Sequence, residues 1–121
     1  MILTFSKAKF VHRIIDGNKI HTIREDKYNR WYAGRIIQFW FGNPRNVKNN
    51  PYQFKEGICT STQIIEIKNK CIYIENRELK LLSDKVNLLA IQDGFDSVHE
   101  LFEWFNKDFT GKVIHWTDYK Y

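Results

Sequence analysis

Cysteine and proline number two each in the 121-residue chain, and methionine appears once. Cys59 and Cys71 have eleven residues between them, with no Cys-x-x-Cys pair and no histidine at zinc-finger spacing. A structural zinc site and a disulfide scaffold are therefore not expected, and both thiols are expected free in a reducing, cytoplasmic setting. No apolar run approaches the roughly 20 residues of a membrane span, and Lys7 and Lys9 soon follow the opening residues, unlike a signal peptide. Acidic residues are scarce in one half only. Residues 1–55 hold 11 Lys and Arg against 3 Asp and Glu, whereas residues 56–121 hold 8 against 11.

The front half thus carries +8 and the back half −3, within a total of +5. Such a basic half suggests an anionic partner such as nucleic acid or a phosphorylated ligand, although a soluble surface would also show it. Hydrophobic residues make up 43% and aromatic ones 16%, enough for one packed core over residues 1–121 and too much for a disordered chain.

Periodicity predicts a helix capped by Ser6 and running through residues 10–16, with Phe10, Val11, Ile14 and Ile15 on one face. Gly17 falls where a left-handed cap ends such a helix. Residues 19–25 read as a strand, 28–34 as a turn, and 35–41 as a strand apolar enough to be buried on both faces. Residues 42–52 read as a loop. Strands follow at about 57–67 and 71–75, joined by a tight turn at 68–70. Ser83 starts a helix through Val86, Leu89 and Ala90 that Asp93-Gly94 ends. Ser97 and Glu100 form a capping box for a helix to about 106, and residues 112–116 make a last strand. Five or six short strands with hairpin connections predict an α+β fold: a small, mostly antiparallel β-barrel or curled sheet with flanking helices.

Chemistry is densest in the corner between the first helix and the strand after it, at Gly17, Lys19, His21, Thr22 and Arg24. An arginine fork binds a carboxylate, phosphate or carbonyl. A lysine becomes a general base where burial or a nearby cation lowers its pKa, and a threonine hydroxyl needs such a base to act as a nucleophile. The same residues admit a plainer reading: Lys19 a solvated turn residue, Thr22 an ordinary strand former, Arg24 paired with Glu25 or Asp26, and His21 a partly exposed strand residue. Lys19 and Thr22, three apart, would face opposite ways on a regular strand, so they meet only if Lys19 still lies in the turn or a bulge twists the start of the strand. The interleaved cations and aromatics are also the ingredients of single-stranded RNA binding. Tyr28, Trp31 and Tyr32 are the stacking candidates, and Arg45 sits on the rim of the asparagine-rich loop. His21 and His115 are the acid–base candidates for metal-independent RNA cleavage. No carboxylate cluster suggests a metal, and no cofactor is expected.

The motif Gly17-x-Lys19-x-x-Thr22-x-Arg24, after a helix and before Trp31-x-x-Gly34, resembles the ASCH domain family of the PUA-like superfamily. The resemblance continues in order through Gly42-x-x-Arg45, Gly57-Ile58-Cys59, Asp93-Gly94-Phe95 and Ile114-His115-Trp116. It implies a PUA-like β-barrel with flanking helices and an association with RNA or nucleosides. Some small members are amidohydrolases that remove the acetyl group from the exocyclic amine of N-acetylcytidine. Their catalytic lysine and threonine fall on Lys19 and Thr22, and their glutamate on Asp93, one methylene shorter. Other members bind or cleave RNA. The resemblance thus implies Lys19, Thr22 and Asp93 as catalytic residues, while the chemistry of the residues themselves puts Arg24, His21, Arg45, Tyr28 and Trp31 toward the substrate.

Overall fold

The computed structural model describes residues 1–79 and 84–121. In chain order the elements are β1 (Ile2–Phe5), α1 (Ala8–Asp16), β2 (His21–Arg24), β3 (Ile36–Phe41), a 3-10 turn (Val47–Asn49), β4 (Tyr52–Ile58), β5 (Ser61–Lys68), β6 (Cys71–Ile74), β7 (Arg77–Leu79), α2 (Asp84–Gln92), α3 (Val98–Trp104) and β8 (Phe109–His115). The strands build two sheets, ordered β1-β3-β4 and β2-β8-β5-β6-β7. Every pairing is antiparallel except β1 with β3. The α+β, mostly antiparallel expectation holds. No closed barrel is found among the described residues, which form two sheets.

Alternation along the strands places the core. Ile65 and Ile67 of β5, Ile72 and Ile74 of β6, and Val113 of β8 are buried, together with Ile37 and Phe39 of β3. Helix α1 closes one side with Phe10, Val11 and Ile14, and α2 and α3 add Val86, Leu89, Ala90 and Leu101.

Several elements differ from the sequence reading, each for a nonlocal reason. Helix α1 begins at Ala8 after Lys7, which makes no side-chain capping bond, so Ser6 is not the cap. Strand β1 is absent from the sequence reading, because its partner β3 lies some 35 positions downstream and leaves no local mark. Strand β3 is fully buried on one face only: Ile37 and Phe39 point inward, while on the other face Ile36 is exposed and Gln38 and Trp40 are half-buried. The strand expected over 57–67 is two strands meeting at a corner. There Cys59 N–H donates to Arg35 O (2.8 Å) in one sheet and Thr60 N–H to His115 O (2.9 Å) in the other. Strand β7 and most of β4 are likewise additions, whereas β8 extends the expected final strand toward its N-terminus. The expected start at Ser83 lies outside the described residues; α2 is described from Asp84. Ser97 caps α3 as expected, accepting the Glu100 N–H at 3.2 Å. Both cysteines are free. No helix is long and apolar enough to cross a membrane among the described residues.

Candidate functional site

Backbone hydrogen bonds assemble the site before any side chain is considered. Gly17 takes the left-handed conformation (φ 83°) and ends α1. The N–H groups of Asn18 and Lys19 then both donate to Arg13 O at 2.9 Å. Ile20 N–H donates to Gln92 O (2.9 Å), which ties the α1–β2 corner to the C-terminal end of α2. Asp93 follows Gln92, so the stitch that fixes the corner also brings Asp93 to Lys19. Gly94 is required next. Its φ is 97°, and a Cβ there would lie 2.8 Å from the Phe10 ring and 3.0 Å from the Lys19 stem.

Lys19 lies in the turn, ahead of β2, which satisfies the condition for it to share a side with Thr22. Lys19, Thr22, Arg24 and Asp93 line one cavity of about 320 Å³, whose remaining wall includes Phe5, Phe10, Phe95 and Trp104. Ser6 lines it as well, instead of capping α1. The cavity falls at the small end of the ~300–1,000 Å³ range of ligand pockets.

Lys19 is 2% exposed, so it is not a solvated turn residue. Its amine donates to the Asp93 backbone carbonyl and to Asp93 Oδ1 (3.3 Å), and it lies 5.0 Å from the Phe10 ring centre. Burial lowers its pKa to about 8, with the Asp93 carboxylate opposing that shift and the Arg24 guanidinium adding to it. Arg24 does not pair with Glu25 or Asp26. It donates through Nη2 to Thr4 O (2.6 Å) and through Nε to Thr22 Oγ1 (3.3 Å), and it stacks on Phe5 at 5.0 Å. The Thr22 oxygen thus accepts a charge-assisted bond while its own proton stays free to be removed. No hydrogen bond joins Lys19 to Thr22 directly; the amine rests on Asp93.

His21, expected partly exposed and toward a substrate, is fully buried, on the far side of β2 from the cavity. Its Nδ1 lies 3.0 Å from Asp93 Oδ1 and its Nε2 2.5 Å from the Tyr121 hydroxyl. Burial lowers its pKa despite the Asp93 carboxylate. His115, also buried, places Nε2 2.9 Å from Gln63 Oε1, and burial brings its pKa down to about 4.

The remaining expected contacts lie away from the cavity. Trp31 is 5% exposed, its N–H donating to Asp26 Oδ2 (3.0 Å), so its ring is packed. Tyr28 is 77% exposed, with the Arg30 guanidinium 5.9 Å above its ring. Arg45 is exposed on the 42–52 loop. Sequence reasoning misses Tyr121, Gln92 and the aromatic wall of Phe5, Phe95 and Trp104, because nothing local links those positions to residues 17–24. No group of three or more His, Cys, Asp or Glu residues is arranged to hold a metal ion among the described residues. Compared with known proteins, the chain matches no family model, no curated protein and no solved structure.

Proposed function

We propose that this chain is an ASCH-type, PUA-like domain acting as an amidohydrolase on the acylated exocyclic amine of a modified cytidine. One observation carries the reading: a buried lysine of lowered pKa shares a nucleoside-sized cavity with a threonine, an arginine and an aspartate. These four side chains occupy the positions that the resemblance implied, and they reach one cavity from β2 and the end of α2. The mostly antiparallel sheets with their helices are compatible with this reading at the level of fold class. Two free thiols fit the cytoplasmic setting that is part of the same proposal.

The chemistry is acyl transfer. With a pKa near 8, roughly a tenth of the Lys19 amines are neutral at pH 7. On substrate binding the amine leaves the Asp93 carbonyl for Thr22, since catalytic hydrogen bonds often close only in the Michaelis complex. Lys19 takes the hydroxyl proton as Thr22 Oγ1 bonds to the amide carbon, and Arg24 stabilises the developing oxyanion. Collapse breaks the carbon–nitrogen bond, and the Lys19 ammonium returns its proton to the departing cytosine amine. Water, deprotonated by the same lysine, then attacks the threonine ester; the carbon–Oγ1 bond breaks, the Lys19 ammonium returns the proton to Thr22 Oγ1, and acetate leaves. Asp93 holds Lys19 in place between these steps.

The test is acetate release from N-acetylcytidine. The folded protein is expected to turn it over, with Lys19→Ala and Thr22→Ala each lowering the rate by about 10²–10⁴-fold. No release from folded protein would sink the reading, and release that survives both substitutions would sink the mechanism alone. A second reading, a non-catalytic RNA-binding module, draws on the exposed pair Arg30–Tyr28 and on exposed Tyr32 with half-buried Arg35 over its ring. Salt-sensitive RNA binding that tolerates Thr22→Ala, without acetate release, would favour it. RNA cleavage has less support, since His21 and His115 are both fully buried.

A further inference from the structure

We infer that His21, steadied by Tyr121, is a positioning residue that holds the Asp93 carboxylate against the Lys19 amine. The catalytic consequence rests on the acyl-transfer reading above; the geometric part does not.

Asp93 Oδ1 is shared. It lies 3.0 Å from His21 Nδ1 and 3.3 Å from Lys19 Nζ, so the imidazole fixes the rotation of the very oxygen that faces the amine. His21 has no access to the cavity, and therefore acts on it only through Asp93. Adjacent residues of β2 divide the work: Thr22 lines the cavity, and His21 points behind it.

The proton count supports the assignment. Nδ1 faces a carboxylate and must carry a proton, so in the neutral ring Nε2 is a bare acceptor. Its neighbour, the Tyr121 hydroxyl, has a single proton and two partners, His21 Nε2 and the Gln92 side-chain amide at 2.7 Å. As placed, the hydroxyl donates to Gln92 Oε1; pointing that proton at the bare His21 Nε2 instead takes only a half-turn of the Gln92 amide, which then offers its NH₂ to the phenol oxygen. Tyr121 thereby selects the tautomer that binds Asp93. Tyr121 is itself clamped, its N–H donating to Gln63 Oε1 (2.9 Å) and its carbonyl accepting from Gln63 Nε2 (2.8 Å). Gln63 Oε1 also meets His115 Nε2, so a polar layer drawn from β2, β5, β8 and α2 underlies the cavity.

A core histidine that merely satisfied its own hydrogen bonds would influence stability and leave Lys19 unmoved. The Lys19 amine faces Asp93 and Arg24, with the rings of Phe5 and Phe10 beside it. Its titration therefore reports where the Asp93 carboxylate sits. The experiment follows that titration by NMR of ¹³C-labelled lysine, the signal assigned by its loss in Lys19→Met. His21→Leu frees the carboxylate to turn away, and the Lys19 midpoint is expected to fall by about one pH unit. His21→Asn, whose amide puts a donor near the former Nδ1, is expected to restore at least half of that shift. Tyr121→Phe, which removes a single hydroxyl, is expected to move the midpoint in the same direction by about half a unit. It carries the test if His21→Leu fails to fold. An unmoved midpoint in folded His21→Leu, or in Tyr121→Phe if that is the one that folds, overturns the inference. With N-acetylcytidine, kcat and the pH optimum are expected to shift with the midpoint while KM stays constant. A moving midpoint without acetate release from the parent protein would sink the amidohydrolase reading and leave the positioning role standing. Acetate release with an unmoved midpoint would do the reverse.

Discussion

Burying the Lys19 ammonium and the Asp93 carboxylate strips both of hydration, and their mutual attraction returns only part of that cost. Removing one partner is worse than removing both, since the survivor is then a buried charge without compensation. Lys19→Met is expected to lower unfolding free energy by about 3–5 kcal/mol. Lys19→Met combined with Asp93→Asn should recover most of it, because the new side-chain amide oxygen would still accept from His21. Urea denaturation of both variants checks this, and equal losses would contradict it. The sign of the pH effect is fixed as well. Lys19 has a folded pKa of about 8 against an ordinary 10.5, so the unfolded chain binds more protons between those values. The Lys19 contribution to stability therefore rises as pH climbs through that window. Spacing in the sequence singles out Lys19, Thr22 and Arg24, but not that Lys19 is buried. Burial is a property of the wall that Phe10, Gly94 and Asp93 close around it.

Among the elements, α3 shows how a local signal serves a distant site. Ser97 and Glu100 are legible as a capping box, and the Ser97 side chain accepts the Glu100 N–H at 3.2 Å. The same seven-residue helix ends at Trp104, and Trp104 and Phe105 both line the cavity. Ser97→Ala is expected to cost about 1 kcal/mol by thermal denaturation, with the loss felt at the aromatic wall. A change below ~0.3 kcal/mol would mean that the tertiary contacts of α3 hold it without the cap. Strand β1 is the opposite case. Its four residues carry no turn signal, and only the parallel register of Leu3 with Phe39 makes them a strand.

Over the whole molecule, the charge asymmetry changes meaning. Three cations of the basic front half pair with acids of the back half, Lys9 with Glu100, Arg13 with Asp96 and Lys19 with Asp93, whereas Lys112 of the back half pairs with Asp26 of the front at 2.9 Å. Part of what reads as an anion-binding half in one dimension is internal cross-linking in three. Two buried histidines set the acid limit of the fold. Burial holds His115 at about 4 and His21 below its ordinary 6.5, so both bind protons more readily when unfolded. Their contribution is fully present above pH 6.5 and is lost as pH falls from there through the folded values. Unfolding free energy is expected to drop by about 3 kcal/mol from His115 alone between pH 6.5 and pH 4. Denaturant titrations at those two pH values check it, and His115→Gln should flatten the dependence. A parent protein equally stable at both would contradict the assignment.

Periodicity and turn chemistry alone determined the class of fold, a helix ending at Asp16 before the Gly17 cap, a helix started by the Ser97 cap, and the corner where cations gather beside a hydroxyl. These are local properties, written in residues within one turn or one strand of each other. The start of the first helix at Ala8 and the end of the other at Trp104 came from the structure. Only the tertiary structure decided that Asp93 meets Lys19, that His21 turns away from the cavity toward Tyr121, and that Trp31 is packed. Each of those depends on a partner far along the chain or on burial by several elements at once. The backbone hydrogen bond from Ile20 N–H to Gln92 O and the side-chain bonds of Lys19 and His21 to Asp93 join the two halves of the site, and no periodicity in either segment encodes them.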